Sequence, residues 1–342
     1  NNLIEGLFGL AQNQRRQKKF TEALDTLHEA LTHIEKTGDL VHKCRAVHAM
    51  GIVYGELDRI DERLLYYKKA LNLASETDNA IQEMTILNST GAIYAGVYGN
   101  HRKAVEYYER ALELAKLHNR VASQRVYMSN LVAHRALGNY KKAKQYAEQA
   151  LELRRRFGDI SGTSVSYSTL GLLCLPVGEI DAAVEYFLTS IRIADKFNRT
   201  NRQAVSRGRL IVCYLIMNQL EDALQIIEEM RPLVAKVKLR VSVYNEILLE
   251  AIIRLRMGQV DEAKKLFEDN LINAVKELHT KRWAYRYHHA FSQAGLTLLL
   301  PVEERSFNQS ETQRLFQIAV DYCGSAGIID DALRIFRELR KV

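Results

Sequence analysis

The sequence predicts an all-α solenoid of antiparallel helix hairpins, and three observations predict it. Helix formers dominate: the 342 residues hold only three prolines, with 47% hydrophobic and 26% charged residues, so little interrupts a helix. A small residue, Ala at six of seven sites, recurs at positions 23, 63, 104, 143, 183, 223 and 263, with Arg63 the exception and gaps of 40, 41, 39, 40, 40 and 40. Turn-forming pairs fall between the periodic runs at intervals of about twenty residues. A period of this length marks stacked supersecondary units.

Each unit opens its second half with a 3-4-3 spacing that puts four residues on one helical face. The sets are Phe20, Ala23, Leu27, Ala30; Ile60, Arg63, Tyr67, Ala70; His101, Ala104, Tyr108, Ala111; Tyr140, Ala143, Ala147, Ala150; Ile180, Ala183, Phe187, Ser190; Leu220, Ala223, Ile227, Met230; and Val260, Ala263, Phe267, Asn270. The first halves carry Gly51 with Tyr54, Gly91 with Tyr94, and Gly171 with Cys174. A helical glycine costs about 1 kcal/mol relative to alanine, so its recurrence requires a compensating close approach of a neighbouring helix. Breaks at Asp58-Arg59, Gly99-Asn100, Gly138-Asn139, Gly178-Glu179 and Gly258-Gln259 divide the halves. Breaks at Gly38-Asp39, Thr77-Asp78, His118-Asn119, Gly158-Asp159 and Asn198-Arg199 divide the units. Residues 3–277 are thus expected to form seven repeats. From 278 to 342 the period fails: a helix around Trp283, a loop from Pro301, and a last hairpin with Gly327, Ala332 and Phe336 are expected to cap one continuous solenoid.

The Gly/Tyr then Ala/Tyr/Ala-Leu signature resembles the tetratricopeptide repeat family, in its longer variety of roughly forty residues. Similar repeats occur in kinesin light chains, Pins-type polarity adaptors, bacterial peptide-sensing regulators and the sensor domains of MalT-like signal-transduction ATPases. The resemblance implies a right-handed superhelix, with the first helix of each hairpin lining its concave face. Arg63 in place of alanine, the one-residue insertion before His101, and Pro176 depart from the pattern and affect local geometry.

On that concave face one position recurs every forty residues as Ile52, Ala92, Val132, Leu172, Val212 and Ile252. The row is either intra-hairpin core or an apolar stripe on which a partner docks. Its neighbour row, Gly51, Gly91, Leu131, Gly171, Ile211 and Ala251, is the stronger core candidate, which favours the stripe. Flanking inner positions are polar or basic: Arg45, His48, Asn88, Arg125, Met128, Arg135, Ser168, Arg209, Asn245 and Arg256. An arginine-rimmed apolar groove suits a peptide with acidic and apolar side chains, because guanidinium pairs bidentately with carboxylate. The Lys/Asn clamp that chaperone-tail adaptors use is not found. Arg15-Arg16 with Lys18-Lys19, and Arg154-Arg155-Arg156 at a helix end, read as solvated charge.

Phosphate-binding, zinc-hydrolase and nucleophile-elbow motifs are all missing, so no enzyme is expected. Four cysteines far apart (Cys44, Cys174, Cys213, Cys323), without C-x-x-C or Cys/His spacing, point to packed thiols in a reducing compartment, with neither metal nor cofactor. No membrane span or signal stretch is expected. A net charge of +7 tilts partners toward acidic molecules yet is dilute for a nucleic-acid domain. The expected function is a cytoplasmic, non-catalytic protein- or peptide-binding scaffold. Its narrower form is the sensor or interaction domain of a larger signalling regulator, with the chain a piece of a longer protein. A basic solenoid that binds nucleic acid, or a small-ligand sensor, are the alternatives.

Overall fold

The computed structural model describes residues 2–118, 121–237, 246–277, 292–296 and 298–300. Among them are fourteen α-helices and no strand. They are α1 (Asn2–Arg16), α2 (Phe20–Thr37), α3 (Leu40–Glu56), α4 (Ile60–Glu76), α5 (Ala80–Gly96), α6 (His101–His118), α7 (Val121–Ala136), α8 (Tyr140–Arg156), α9 (Ile160–Cys174), α10 (Ile180–Lys196), α11 (Thr200–Met217), α12 (Leu220–Val237), α13 (Glu246–Arg256) and α14 (Val260–Glu277). A 3-10 turn, Leu175–Val177, carries Pro176 where a helix could not continue. Most of the expected cap, 278–342 with Trp283 and Phe336, lies outside the described residues.

Apart from residues 238–245 between α12 and α13, which lie outside the described residues, links of two to five residues force consecutive helices to double back and pack. The chain direction reverses at residues in the left-handed backbone region: Lys18, Gly38, Asp58, Asp78, Gly99, Gly138, Gly158, Gly178, Asn198, Asn218 and Gly258 all have positive φ. Each follows a helix, about twenty residues after the last except from Gly99 to Gly138 and from Asn218 to Gly258, which are about forty apart, and Gly, Asn and Asp tolerate this conformation best. After Gly38, Asp39 caps α3: its carboxylate accepts from the N–H groups of Val41 and His42 at 3.0 Å each. The His42 backbone N–H, and then the His42 ring, hold the Asp39 carboxyl below its ordinary value of 3.8. A depressed acid stabilises the fold above its unfolded pKa, and that contribution is lost as pH falls through the lowered folded value. Asp39→Ala should therefore cost about 1 kcal/mol at neutral pH, read by urea denaturation. The gap to the parent protein should close below pH 3.8, and a gap that persists there would show the cost is not the cap.

The chain divides into two compact units, 1–153 and 154–342. In the first, Ile4, Leu7, Phe8, Ala11, Ala23, Leu27, Ala30 and Ile34 form a core with Ala46, Met50 and Val53 of α3. Cys44, Tyr67, Ala70, Ala74, Ile86 and Ile93 form the next layer. The helical glycines are explained here. A Cβ on Gly91 would meet the Tyr108 ring at 2.5 Å, so the ring of the second helix rests on the bare backbone of the first. Arg63, the departure from alanine, packs against Gly55, where a Cβ would meet Arg63 Cδ at 2.6 Å.

In the second unit, Ala183, Phe187, Ile191, Leu210 and Cys213 form one cluster, and Ile211, Leu215, Ala223, Ile227, Leu248, Ile253, Ala263 and Phe267 another. The segment Ile160–Val177 is long and apolar enough to cross a membrane by length and composition, but half of it is buried inside the protein. Its hydroxyls bond internally, as Ser164 Oγ donates to the Ser190 carbonyl at 3.1 Å. It behaves as a core helix of the hairpin it forms with α10. Cys44, Cys174 and Cys213 are buried thiols; burial pushes Cys44 up to about 11, so it stays protonated and unreactive.

Candidate partner-binding site

In the first unit, α3 presents Arg45, His48 and Ile52 at spacings of three and four, hence on one face. Opposite them α1 presents Phe8, Ala11, Gln12 and Arg15. These seven, with Leu27, Ala49 and Val53, line a cavity of about 220 Å³. Its floor is apolar. Its rim carries Arg15, Arg45 and His48, and the lining includes no carboxylate.

Both guanidinium groups are held from outside the cavity. Arg45 donates to Glu5 Oε1 at 2.6 Å and lies 4.3 Å over the Phe8 ring, a cation–π contact that fixes its direction. His42 Nε2 reaches the same Glu5 oxygen at 3.3 Å. The Arg45 hydrogen bond is the main reason the Glu5 carboxyl sits below its ordinary value. Arg15 donates to Glu56 at 2.6 Å. Arg45 and Glu5 are each half exposed, and pairs of that kind are worth little and exchange readily. A partner's carboxylate can take the place of Glu5 at small cost.

The other expected positions divide by unit. Val132 is 43% exposed and Ala92 is exposed, while Met128 and Arg135 are half-buried. Asn88 is buried on α5, and its Oδ1 has no hydrogen-bond partner among the described residues. In the second unit the row closes: Leu172, Val212 and Ile252 are 7, 3 and 0% exposed. Leu172 packs with Cys174 and Phe187, and Val212 and Ile252 share the cluster around Ala223 and Phe267. An open stripe along all six repeats does not fit this burial; these three side chains are core. Arg209 donates to Ser168 Oγ at 2.6 Å. Arg256 donates to the Leu215 carbonyl at 2.5 Å and to Asn218 Oδ1 at 2.9 Å. The Arg125 side chain and Asn245 lie outside the described residues.

Two features escaped the sequence reading. Phe8 and Gln12 stand forty residues before His48 and Ile52, so extending the inner rows back one period would have found them. Arg154 was expected in solvent, yet it is 9% exposed and donates to the Gly162 carbonyl at 2.9 Å and Ser166 Oγ at 2.6 Å. Its long side chain folds back onto its own neighbourhood, an option that a count of charges at a helix end does not reveal.

Comparison with known proteins gives this architecture its place. The tetratricopeptide repeat model matches residues 46–116 and 131–196. Among curated proteins, none matches the chain in sequence. A Signal Transduction ATPase with Numerous Domains from Pyrococcus horikoshii, described as having a tetratricopeptide repeat sensor, is 15% identical with a TM-score of 0.63. The match covers 93% of this chain and 49% of that one, so the chain spans about half its length. Aspartyl phosphate phosphatase F from Bacillus subtilis is 13% identical with a TM-score of 0.60, over 92% of this chain and 83% of its own. BtubC from P. vanneervenii is 15% identical with a TM-score of 0.57, over 66% and 92%. At these identities the likeness is one of fold. Residues 46–116 and 131–196 thus match tetratricopeptide repeats, and the helices pack in consecutive hairpins as in the solved structures of like fold.

Proposed function

We propose that the chain is a non-catalytic scaffold that holds an apolar and acidic segment of another polypeptide in the groove of its first unit. The observation that carries this reading is the cavity between α1 and α3, apolar at its floor, with Arg15 and Arg45 at its rim and no carboxylate in its lining. An apolar side chain fits the floor while an adjacent carboxylate takes a guanidinium from Glu5 or Glu56. Val132, exposed further along the same unit, adds apolar surface. In this reading residues 3–277 are seven repeats of one cytoplasmic solenoid capped by 278–342, with no metal or cofactor. The Pyrococcus likeness supports a place as the sensor or interaction arm of a larger signalling regulator.

Selection of displayed random peptides on the full chain tests the groove. Recovered peptides should place Asp or Glu beside an apolar residue, and Arg45→Glu should weaken them about tenfold or more, the loss of a charge-assisted pair and a new repulsion. Ile52→Glu should weaken them comparably. Recovery of basic peptides, or peptides indifferent to both variants, would overturn the assignment. Tight binding of oligonucleotides that falls steeply as salt rises would favour the nucleic-acid reading instead.

A further inference from the structure

Arg63 of α4 stands where every other repeat has alanine, and its side chain reaches across to α3. A Cβ on Gly55 would meet Arg63 Cδ at 2.6 Å, Nε at 2.8 Å and Cζ at 3.0 Å. The guanidinium therefore fills the space that a side chain at position 55 would take. Gly55 lies three residues beyond Ile52, hence on the face of α3 that lines the cavity. Ring contacts tie Arg63 to the same place. It lies 5.5 Å from the centroid of the buried Tyr67 ring, and His48 of the cavity lining packs on that ring at 5.0 Å.

In the first unit, position 55 has its equivalents at Arg15, Ala95 and Arg135. Where the first helix of a hairpin carries arginine, the second carries alanine: Arg15 goes with Ala23, and Arg135 with Ala143. In the second repeat the two are exchanged, and Gly55 goes with Arg63. The guanidinium comes to the equivalent place from the opposite helix. Packing does not require it, because Ala95 and Ala104 share one cluster in the third repeat. The second unit has Leu175, Leu215 and Leu255 instead. Arg63 Nε is buried and makes no hydrogen bond among the described residues. Glu62 pairs with Arg59 at 2.8 Å, and Glu56 with Arg15 at 2.6 Å. A half-buried cation without a carboxylate carries a desolvation cost that an arriving anion offsets.

We infer that Arg63 takes a carboxylate of the bound segment, so that the partner is an extended polypeptide with at least two acidic residues. One meets the rim of Arg15 and Arg45, and the other meets Arg63 on the next hairpin. This rests on the reading of the groove as a peptide site and adds a second acidic position to it. Neighbouring helices pack with their axes about 8–10 Å apart, further than the two oxygens of a single carboxylate span. A segment that serves both places must cross from the first hairpin to the second. Each guanidinium can receive its carboxylate through two parallel hydrogen bonds, and the cation–π contact with Tyr67 fixes the direction of Arg63.

The test runs the selection of displayed random peptides in parallel on the full parent chain and on Arg63→Ala, which installs the residue of the other repeats. Peptides selected on the parent should carry two acidic positions, and those selected on Arg63→Ala should lose one of them. A synthetic copy of one parent-selected peptide should bind Arg63→Ala about tenfold more weakly by fluorescence anisotropy, as for loss of a charge-assisted pair. Replacing its second acidic residue by the amide should weaken binding to the parent similarly and add less than about twofold in Arg63→Ala. Lys68→Gln, an exposed lysine of α4, controls for loss of one charge and should change affinity by less than about twofold. The double variant Gly55→Arg with Arg63→Ala rebuilds the pairing of the first and fourth repeats and should restore binding to within about threefold of the parent. A merely structural Arg63 would change the melting curve without changing which peptides are selected. The same peptides from both selections, or a loss in Arg63→Ala no larger than in Lys68→Gln, would overturn the role of Arg63 and leave the groove standing. A double variant that melts like the parent yet binds as weakly as Arg63→Ala would overturn it too; if that variant fails to fold, the amide peptide decides. Recovery of no acidic and apolar peptide on the parent would overturn the groove and this inference together.

Discussion

Gly171→Leu should unfold the hairpin of α9 and α10 at markedly lower urea, by about 3 kcal/mol. The sign of this effect is diagnostic. In an uncrowded helix, replacing glycine by leucine stabilises by just under 1 kcal/mol. At Gly171 even a Cβ would stand 2.7 Å from Phe187 Cε1 and 2.8 Å from Cζ. Phe187 is fully buried and cannot swing away, so overpacking of the order of 1–3 kcal/mol is added for the first atoms alone. The protein itself supplies the remedy. At the equivalent positions of the fourth repeat the sizes are exchanged: Leu131 stands where the second, third and fifth repeats have Gly51, Gly91 and Gly171, and Ala147 where they have Tyr67, Tyr108 and Phe187, and both are buried. The double substitution Gly171→Leu with Phe187→Ala should recover at least half of the loss. Should Gly171→Leu stabilise, or the second change add its own full cost, the ring does not rest on the glycine as described. Because repeats unfold in parts, the measurement needs a probe local to this hairpin.

Leu172→Glu and Val132→Glu should differ sharply, although the two residues occupy the same place in a forty-residue period. Leu172 is buried against Phe187 and Cys174. Losing its contacts costs about 2–5 kcal/mol, and a carboxylate left there without a partner adds several more or takes up a proton. Val132 is 43% exposed, so its new carboxylate stays in water and costs about 1 kcal/mol or less. Denaturation curves of the two variants check this. Similar midpoints would mean that Leu172 also faces open solvent.

How much of this was legible in the sequence depends on the range of the interaction. The period, the helix count of each repeat and the breaks follow from local chemistry: a 3-4-3 apolar spacing, an αL residue at each described turn, and a cap such as Asp39 or Asp159. Gly91 and Gly171 were readable too, since a helical glycine demands a close neighbour and Tyr108 and Phe187 sit at the matching offset. The inner row was harder. Its six residues are alike in spacing and polarity, and the sequence left both core and groove open for them. Arg45, His48 and Ile52 were placed together by their shared face, but α1 as the opposite wall was not read from the pattern.

The amino-acid sequence by itself determined that this protein is a chain of helix hairpins with tetratricopeptide signatures, because helix propensity, amphipathic period and turn chemistry act over a few residues. Tertiary structure alone decided which members of a repeating row meet water. Val132 is left open while Leu172, Val212 and Ile252 are closed over, since burial depends on neighbours brought in from other repeats, where a glycine, a ring or a branched side chain alters the approach of the helices. It likewise decided that Arg45 lies over Phe8 at the rim of a cavity with an apolar floor and that Arg154 turns inward to Ser166. A flexible side chain's direction is set by what it can reach, and reach is a property of the folded chain.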